Sequence, residues 1–323
     1  MRIFKYNFIF ILFFITIGIS IPFLMSHTTC SAPEQQTAIQ FTPVFSPPIP
    51  SQVNFAGQAI PTDRYDLRER LDRELSSFCY MHSSTMLMLK RANRYFPVIE
   101  PILKVNGVPD DFKYLMTIES NLDTRARSYR GAAGLWQFMK EAGKEYGLEI
   151  NNNIDERYHI EKATRAACRY LKQAYKRYGN WMSAAASYNA GMGRISSSLK
   201  AQEAETALDL WLNEETSRYM FRILAIKTIF SHPSRYGFRL TTENFYPMFT
   251  YDTDTVTTGI ANLTAYAQSH GITYAQLKDA NPWLRDTKLE NKSGRTYVLK
   301  IPHKTSIHYN PSKTRVHNTE WLK

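Results

Sequence analysis

Val108-Pro109-Asp110-Asp111-Phe112-Lys113-Tyr114-Leu115-Met116-Thr117-Ile118-Glu119-Ser120-Asn121 reads as a mostly apolar helix that runs into a single carboxylic acid. Proline suits a first helical turn, and Asp110 and Asp111 favour the positive end of the helix dipole, so the helix opens just after Gly107. Ser120 and Asn121 compete for backbone hydrogen bonds with their own side chains and end it, leaving the Glu119 carboxyl at the edge of an element. Apolar neighbours hold such a carboxyl protonated near neutral pH, which is what general-acid cleavage of a polysaccharide requires. Taken alone, Glu119 reads first as an ordinary surface glutamate.

Its weight comes from two stretches that follow in order. Gly134-Leu135-Trp136-Gln137 places an aromatic ring beside an amide, the pair that a sugar site needs for its C–H faces and its polar substituents. Ala186-Ser187-Tyr188-Asn189-Ala190-Gly191 ends a short helix. Each has a plain structural reading too: Trp136 and Tyr188 as core, Gly191 as a helix C-cap.

The three motifs together resemble the goose-type-lysozyme-like lytic murein transglycosylases of glycoside hydrolase family 23, and the run from about 98 to 230 looks like their membrane-bound D branch. The resemblance implies a mainly α fold, with a lysozyme-like (goose-type) helical catalytic domain. It implies that Glu119 is the catalytic acid/base and that Ser120 helps orient it and the substrate. Gly134, Leu135, Trp136 and Gln137 would line the cleft, with Gln137 bonding sugar substituents and Trp136 supplying an apolar wall. Tyr188 and Asn189 would close the cleft. Glu215-Thr216-Ser217-Arg218-Tyr219 resembles a fourth motif, whose Tyr219 would lie near the glutamate.

Many glycosidases use two carboxylates. The nearest partner in sequence is Asp123, which is unconvincing because the helix ends near Ser120. The family resemblance implies one essential carboxyl, with the N-acetyl group of the muramic residue assisting and a 1,6-anhydromuramoyl end as product. A hydrolase of the same fold, a catalytically silent wall-binding protein and an unrelated tethered scaffold remain the alternatives.

Outward from this centre, apolar residues at helical spacing (Leu67, Leu71, Leu75, Phe78, then Met86, Leu87, Leu89) predict two packing helices between Thr62 and Pro101, interrupted around 80–84. Further helices are expected over 161–178, 181–190 and 216–230, the first stopped by Gly179. After Pro233 short Thr- and Tyr-rich segments flank helical stretches at 260–270 and 275–280. The segment from about 251 to 302 resembles a small α+β LysM wall-binding module. The match lies in Ile260 to Tyr266, Gly271-Ile272-Thr273, Leu277, Asn281-Pro282-Trp283-Leu284 and Val298 to Pro302. Thr257-Thr258-Gly259-Ile260 replaces the usual opening, so the fold is expected more than the binding, with Trp283 and Tyr297 as core.

The division expected is a leader or anchor over 1–30, a Pro-rich tether over 31–61, a catalytic region over 62–235, a LysM-like module over 236–302 and a basic tail over 303–323. Arg2 and Lys5 precede an apolar run from Phe8 to Met25, the pattern of an export signal. Cys30 resembles the lipidated cysteine of a lipoprotein, although His27 and Thr29 depart from that box. A retained anchor and simple cleavage are the alternatives, and all three place the body in the cell envelope outside the cytoplasm.

The 323 residues carry a formal charge of +11 spread along the chain. That charge favours polyanions in general, and no nucleic-acid-binding motif accompanies it, so no nucleic-acid partner is expected. The partners expected are peptidoglycan glycan strands and a membrane, reached through the N-terminal segment by a monomer. Three cysteines, with no CxxC pair and no Cys/His cluster, argue against a zinc site, and no metal or cofactor is implied. Cys79 and Cys168 read as separately buried thiols, with one disulfide between them as the alternative.

Overall fold

Leu67, Leu71, Leu75 and Phe78 are all buried on one face of helix α1 (Tyr65–Tyr80) in the computed structural model, which describes residues 44–322. The chain breaks at Met81, within the expected interruption, and resumes as α2 (His82–Val105). Pro97 and Pro101 lie inside α2. Each removes one backbone hydrogen bond, and the buried flank of Phe96, Ile99 and Leu103 keeps the helix continuous through tertiary packing.

The glutamate-bearing helix α3 (Phe112–Ser120) starts later than expected. Asp111 occupies its N-cap position, yet its carboxylate accepts from Ala56 N (2.6 Å) and from Lys227 Nζ (2.7 Å) instead of capping. Asn121 ends the helix in the left-handed conformation at φ 50°, which asparagine tolerates better than most residues. There follow α4 (Lys140–Glu145), α5 (Ile160–Tyr178), α6 (Trp181–Ala190), α7 (Met192–Ala201) and α8 (Glu214–Ser231). Gly179 closes α5 at φ 70°, as expected. Helix α8 is central and packs against α1, α3 and α6. Glu74, 1% exposed on α1, is gripped by Arg218 of α8 through Nε (2.7 Å) and Nη2 (3.2 Å).

The tether expected over 31–61 is corrected at its C-terminal end, while 31–43 lie outside the described residues. Strands β1 (Gln52–Phe55) and β2 (Gln58–Pro61) form a hairpin whose Val53, Phe55 and Ile60 are buried in the helical core. Ala56 and Gly57 both take positive φ, the two-residue turn that a right-handed strand twist favours. Composition over the whole segment hid this short period-two pattern. Cys30 and the export signal lie outside the described residues. Among the described residues no helix is long and apolar enough to cross a membrane.

At the C-terminal end, β3 (Tyr251–Val256) pairs antiparallel with β4 (Tyr297–Pro302), and α9 (Leu263–Ser269) and α10 (Tyr274–Ala280) fill the crossover. Trp283 and Tyr297 are core, stacked with ring centroids 5.6 Å apart. Asn281, fully buried, donates to Lys300 O (2.8 Å) and accepts from Lys300 N (2.8 Å), so its amide acts as a backbone surrogate against β4.

Two boundaries move. Tyr236, Phe238, Leu240 and Phe245 belong to the helical core, so the module begins near Tyr251 rather than at 236. The expected basic tail is also structured. After α11 (Lys304–Ile307) the chain returns to the helical unit and buries Trp321, whose Nε1 donates to Phe230 O (2.7 Å) and whose ring stacks on Phe245. Asn93 of α2 holds the same segment, donating to Arg315 O (3.1 Å) and accepting from His317 N (2.7 Å). Cys79 and Cys168 are both buried and free.

Candidate active site

Glu119 occupies the last turn of α3, and its Oε1 receives the phenolic O–H of Tyr219, on α8, at 2.5 Å. Burial pushes the carboxyl up to about 7. The Tyr219 hydrogen bond and the positive charge of Arg222 pull it back, and the negative charge of Glu215 pushes with burial. Glu119 keeps a partial opening to solvent at the helix edge. A carboxyl near 7 exists in both protonation states at neutral pH, as suits a group serving first as acid and then as base.

Tyr188 stands close enough for the Glu119 charge to hold its phenol well above the usual range, after burial as the larger cause. Its O–H donates to Trp136 O at 2.8 Å, which pins the 134–137 turn to α6. Asn189 is brought to α8, where its Oδ1 accepts from Thr216 Oγ1 at 2.9 Å. Motifs far apart in sequence thus meet around α8.

Several residues expected at the substrate make structural contacts within the protein. Trp136 is fully buried, with Nε1 donating to Thr164 Oγ1 at 2.9 Å, so it is core and not a cleft wall. Leu135 is buried beside it. Gly134, at φ 75°, sits where a Cβ would come within 1.9 Å of Arg157 O, so the position is reserved for glycine by close backbone approach. Ser120 is buried and its hydroxyl donates to Met116 O at 3.2 Å, satisfying its own helix. Gln137 is only partly buried, and its Nε2 closes the turn by donating to Gly134 O (2.7 Å) and Ala126 O (3.2 Å).

Asp123 is held by Arg91 (3.7 Å) and by the N–H of Arg125 (2.9 Å). Arg222, whose charge acts on Glu119 from α8, was not singled out in the sequence, and Glu215 and Thr216 stood there only as part of the Tyr219 motif, without the roles they take toward Glu119 and Asn189. Their signal was the helical period itself, since residues three and four apart share a face. Among the described residues no cluster of His, Cys, Asp and Glu is arranged to hold a metal ion.

Residues 96–210, which contain Glu119, the 134–137 turn and the Tyr188-Asn189 pair, match the family described as Transglycosylase SLT domain. The chain carries an SLT domain. Residues 252–305 match the Soluble lytic transglycosylase C-terminal LysM-like domain, in register with β3 through β4. Membrane-bound lytic murein transglycosylase D of Escherichia coli strain K12 is 30% identical over 244 residues, 74% of this chain and 52% of the relative. The protein of the same name from Escherichia coli O6:H1 is similar to the same extent. The chain therefore spans about half the length of the curated relatives it matches. The SLT match ends at 210, so Tyr219 is supplied by the helix that follows it.

Proposed function

We propose that this chain is a peptidoglycan lytic transglycosylase, cleaving the β-1,4 bond between N-acetylmuramic acid and N-acetylglucosamine in cell-wall turnover. The observation that carries the reading is Glu119, raised to about 7 by burial and hydrogen-bonded by Tyr219, in a chain with an SLT domain. Protonated Glu119 donates its proton to the glycosidic oxygen, the C1–O bond breaks, and the N-acetyl carbonyl of the muramic residue stabilises C1. The Glu119 carboxylate then takes the proton of the C6 hydroxyl, whose oxygen closes on C1. No water is consumed, and the products are an N-acetylglucosamine end and a 1,6-anhydromuramoyl end.

Tyr219 steadies the carboxylate between the two steps, since its phenol stays protonated. Tyr188, Asn189 and Gln137 border the sugar, while Gly134, Leu135, Trp136 and Ser120 hold the frame behind them. The protein acts as a monomer in the cell envelope, attached through Cys30 or its N-terminal apolar segment. The murein named in its relatives and the LysM-like match support the wall as its partner.

The test is release of soluble glycan from purified sacculi. Glu119→Gln abolishes release while leaving sacculus binding largely intact, because general acid catalysis supplies roughly 10²- to 10⁴-fold of the rate. Release by that variant at the wild-type rate removes the proposal.

A further inference from the structure

The LysM-like module does not hang from the catalytic unit. Its core is shared with it: Ile154 and Tyr158 pack in the same cluster as Leu277, Trp283 and Leu284. The joint is polar as well as apolar. Asn153 donates to Lys288 O (2.8 Å), accepts Glu290 N at its side-chain oxygen (3.0 Å) and accepts Arg285 N at its carbonyl (2.9 Å). Asp155 N donates to Trp283 O at 2.9 Å.

Two residues further along, the same segment grips the turn that carries Gln137. Arg157, 7% exposed, is clamped by Asp155 through Nε (2.9 Å) and Nη2 (2.6 Å). Its Nη1 then spans the turn by donating to Gly131 O (2.7 Å) and Phe138 O (3.1 Å). Gly134 lies against Arg157 O with no room for a Cβ. The planar five-donor fork of arginine is what lets one side chain satisfy a carboxylate and two carbonyls at once, and lysine cannot reproduce it.

We propose that Arg157 is a positioning residue for the reaction, and that the LysM-like module, through Asn153 and Asp155, holds Arg157 and so sets the geometry of the 131–138 turn at the active site. The module is thereby a structural part of the catalytic centre, whatever it binds. The catalytic side of this inference rests on the transglycosylase reading, and the mechanical side does not.

Two measurements on the full chain test it. In the first, amide hydrogen exchange is compared in wild type, Arg157→Lys and Asn153→Ala. Exchange at Ala133, Gly134 and Gln137 rises roughly tenfold in Arg157→Lys and in the same direction in Asn153→Ala, with α1 and α8 unchanged. Unaltered exchange across the turn in both variants overturns the inference, whether or not the protein cleaves glycan.

In the second, kcat/KM is measured in a double-mutant cycle of Arg157→Lys with Gln137→Ala. A residue acting through the turn loses about tenfold in the wild-type background and less than about twofold once Gln137 is gone. Equal losses in both backgrounds indicate a merely structural residue and overturn the positioning role. Absence of glycan release by wild type, with the exchange pattern as expected, removes the enzymatic reading and leaves the coupling standing.

Discussion

Tyr219 donates a 2.5 Å hydrogen bond to Glu119 from a position 100 residues downstream, joining the end of α3 to the second turn of α8. The bond stabilises the ionised carboxylate and so lowers the pKa that burial raises. Tyr219→Phe therefore moves the alkaline limb of the pH–kcat profile to higher pH. It also cuts kcat near neutrality by about 10-fold, the value of one hydrogen bond to a charged group. A kcat profile from pH 5 to 9 on both proteins checks this.

The raised carboxyl makes the wild-type rate fall as the acid form disappears, by about tenfold per pH unit above about 7. It also has a stability consequence. The fold favours the protonated form, so this contribution is fully present below the ordinary value of 4.5 and is lost as pH rises to about 7. Glu119→Gln, always neutral, escapes that loss. Relative to wild type it gains stability between pH 4 and pH 8, on the order of 3 kcal/mol. Urea unfolding of both proteins at the two pH values measures it.

Trp136 is core, so Trp136→Phe acts on stability and not on sugar binding. Loss of ring volume and of the Thr164 hydrogen bond costs about 1–3 kcal/mol, leaving the Thr164 hydroxyl to Ile160 O. The expected result is a lowered urea midpoint with unchanged KM. A KM increase without destabilisation would restore the cleft-wall reading.

Trp321 docks the C-terminal segment among Phe96, Phe230 and Phe245. Trp321→Ala costs about 3–5 kcal/mol, seen as a lower melting temperature of the helical unit.

The helices were legible because each carries a long local signal, whereas Glu119 drew its weight from the motifs that follow it in order. The Leu67–Phe78 stripe, Gly179 after α5 and the apolar run into Glu119 are patterns that a helix alone explains. The LysM-like core was also readable, since Trp283 and Tyr297 are large residues in a small module. What escaped were short or long-range features. The 52–61 hairpin rests on three apolar residues inside a Pro-rich segment, and Trp321 is a single aromatic residue in a basic one. The role of Trp136 depended on Thr164, 28 residues away, and that of Gly134 on the backbone of Arg157. Sequence motifs named the neighbourhood of the site, and the division of labour within it required the third dimension.

The most direct test of the central claim is mass spectrometry of the muropeptide ends released from sacculi by wild-type protein. The account predicts 1,6-anhydromuramoyl ends, lighter by one water than hydrolysed ends, and none from Glu119→Gln in parallel. Reducing muramic ends from the wild type, or anhydro ends from the variant, would contradict it.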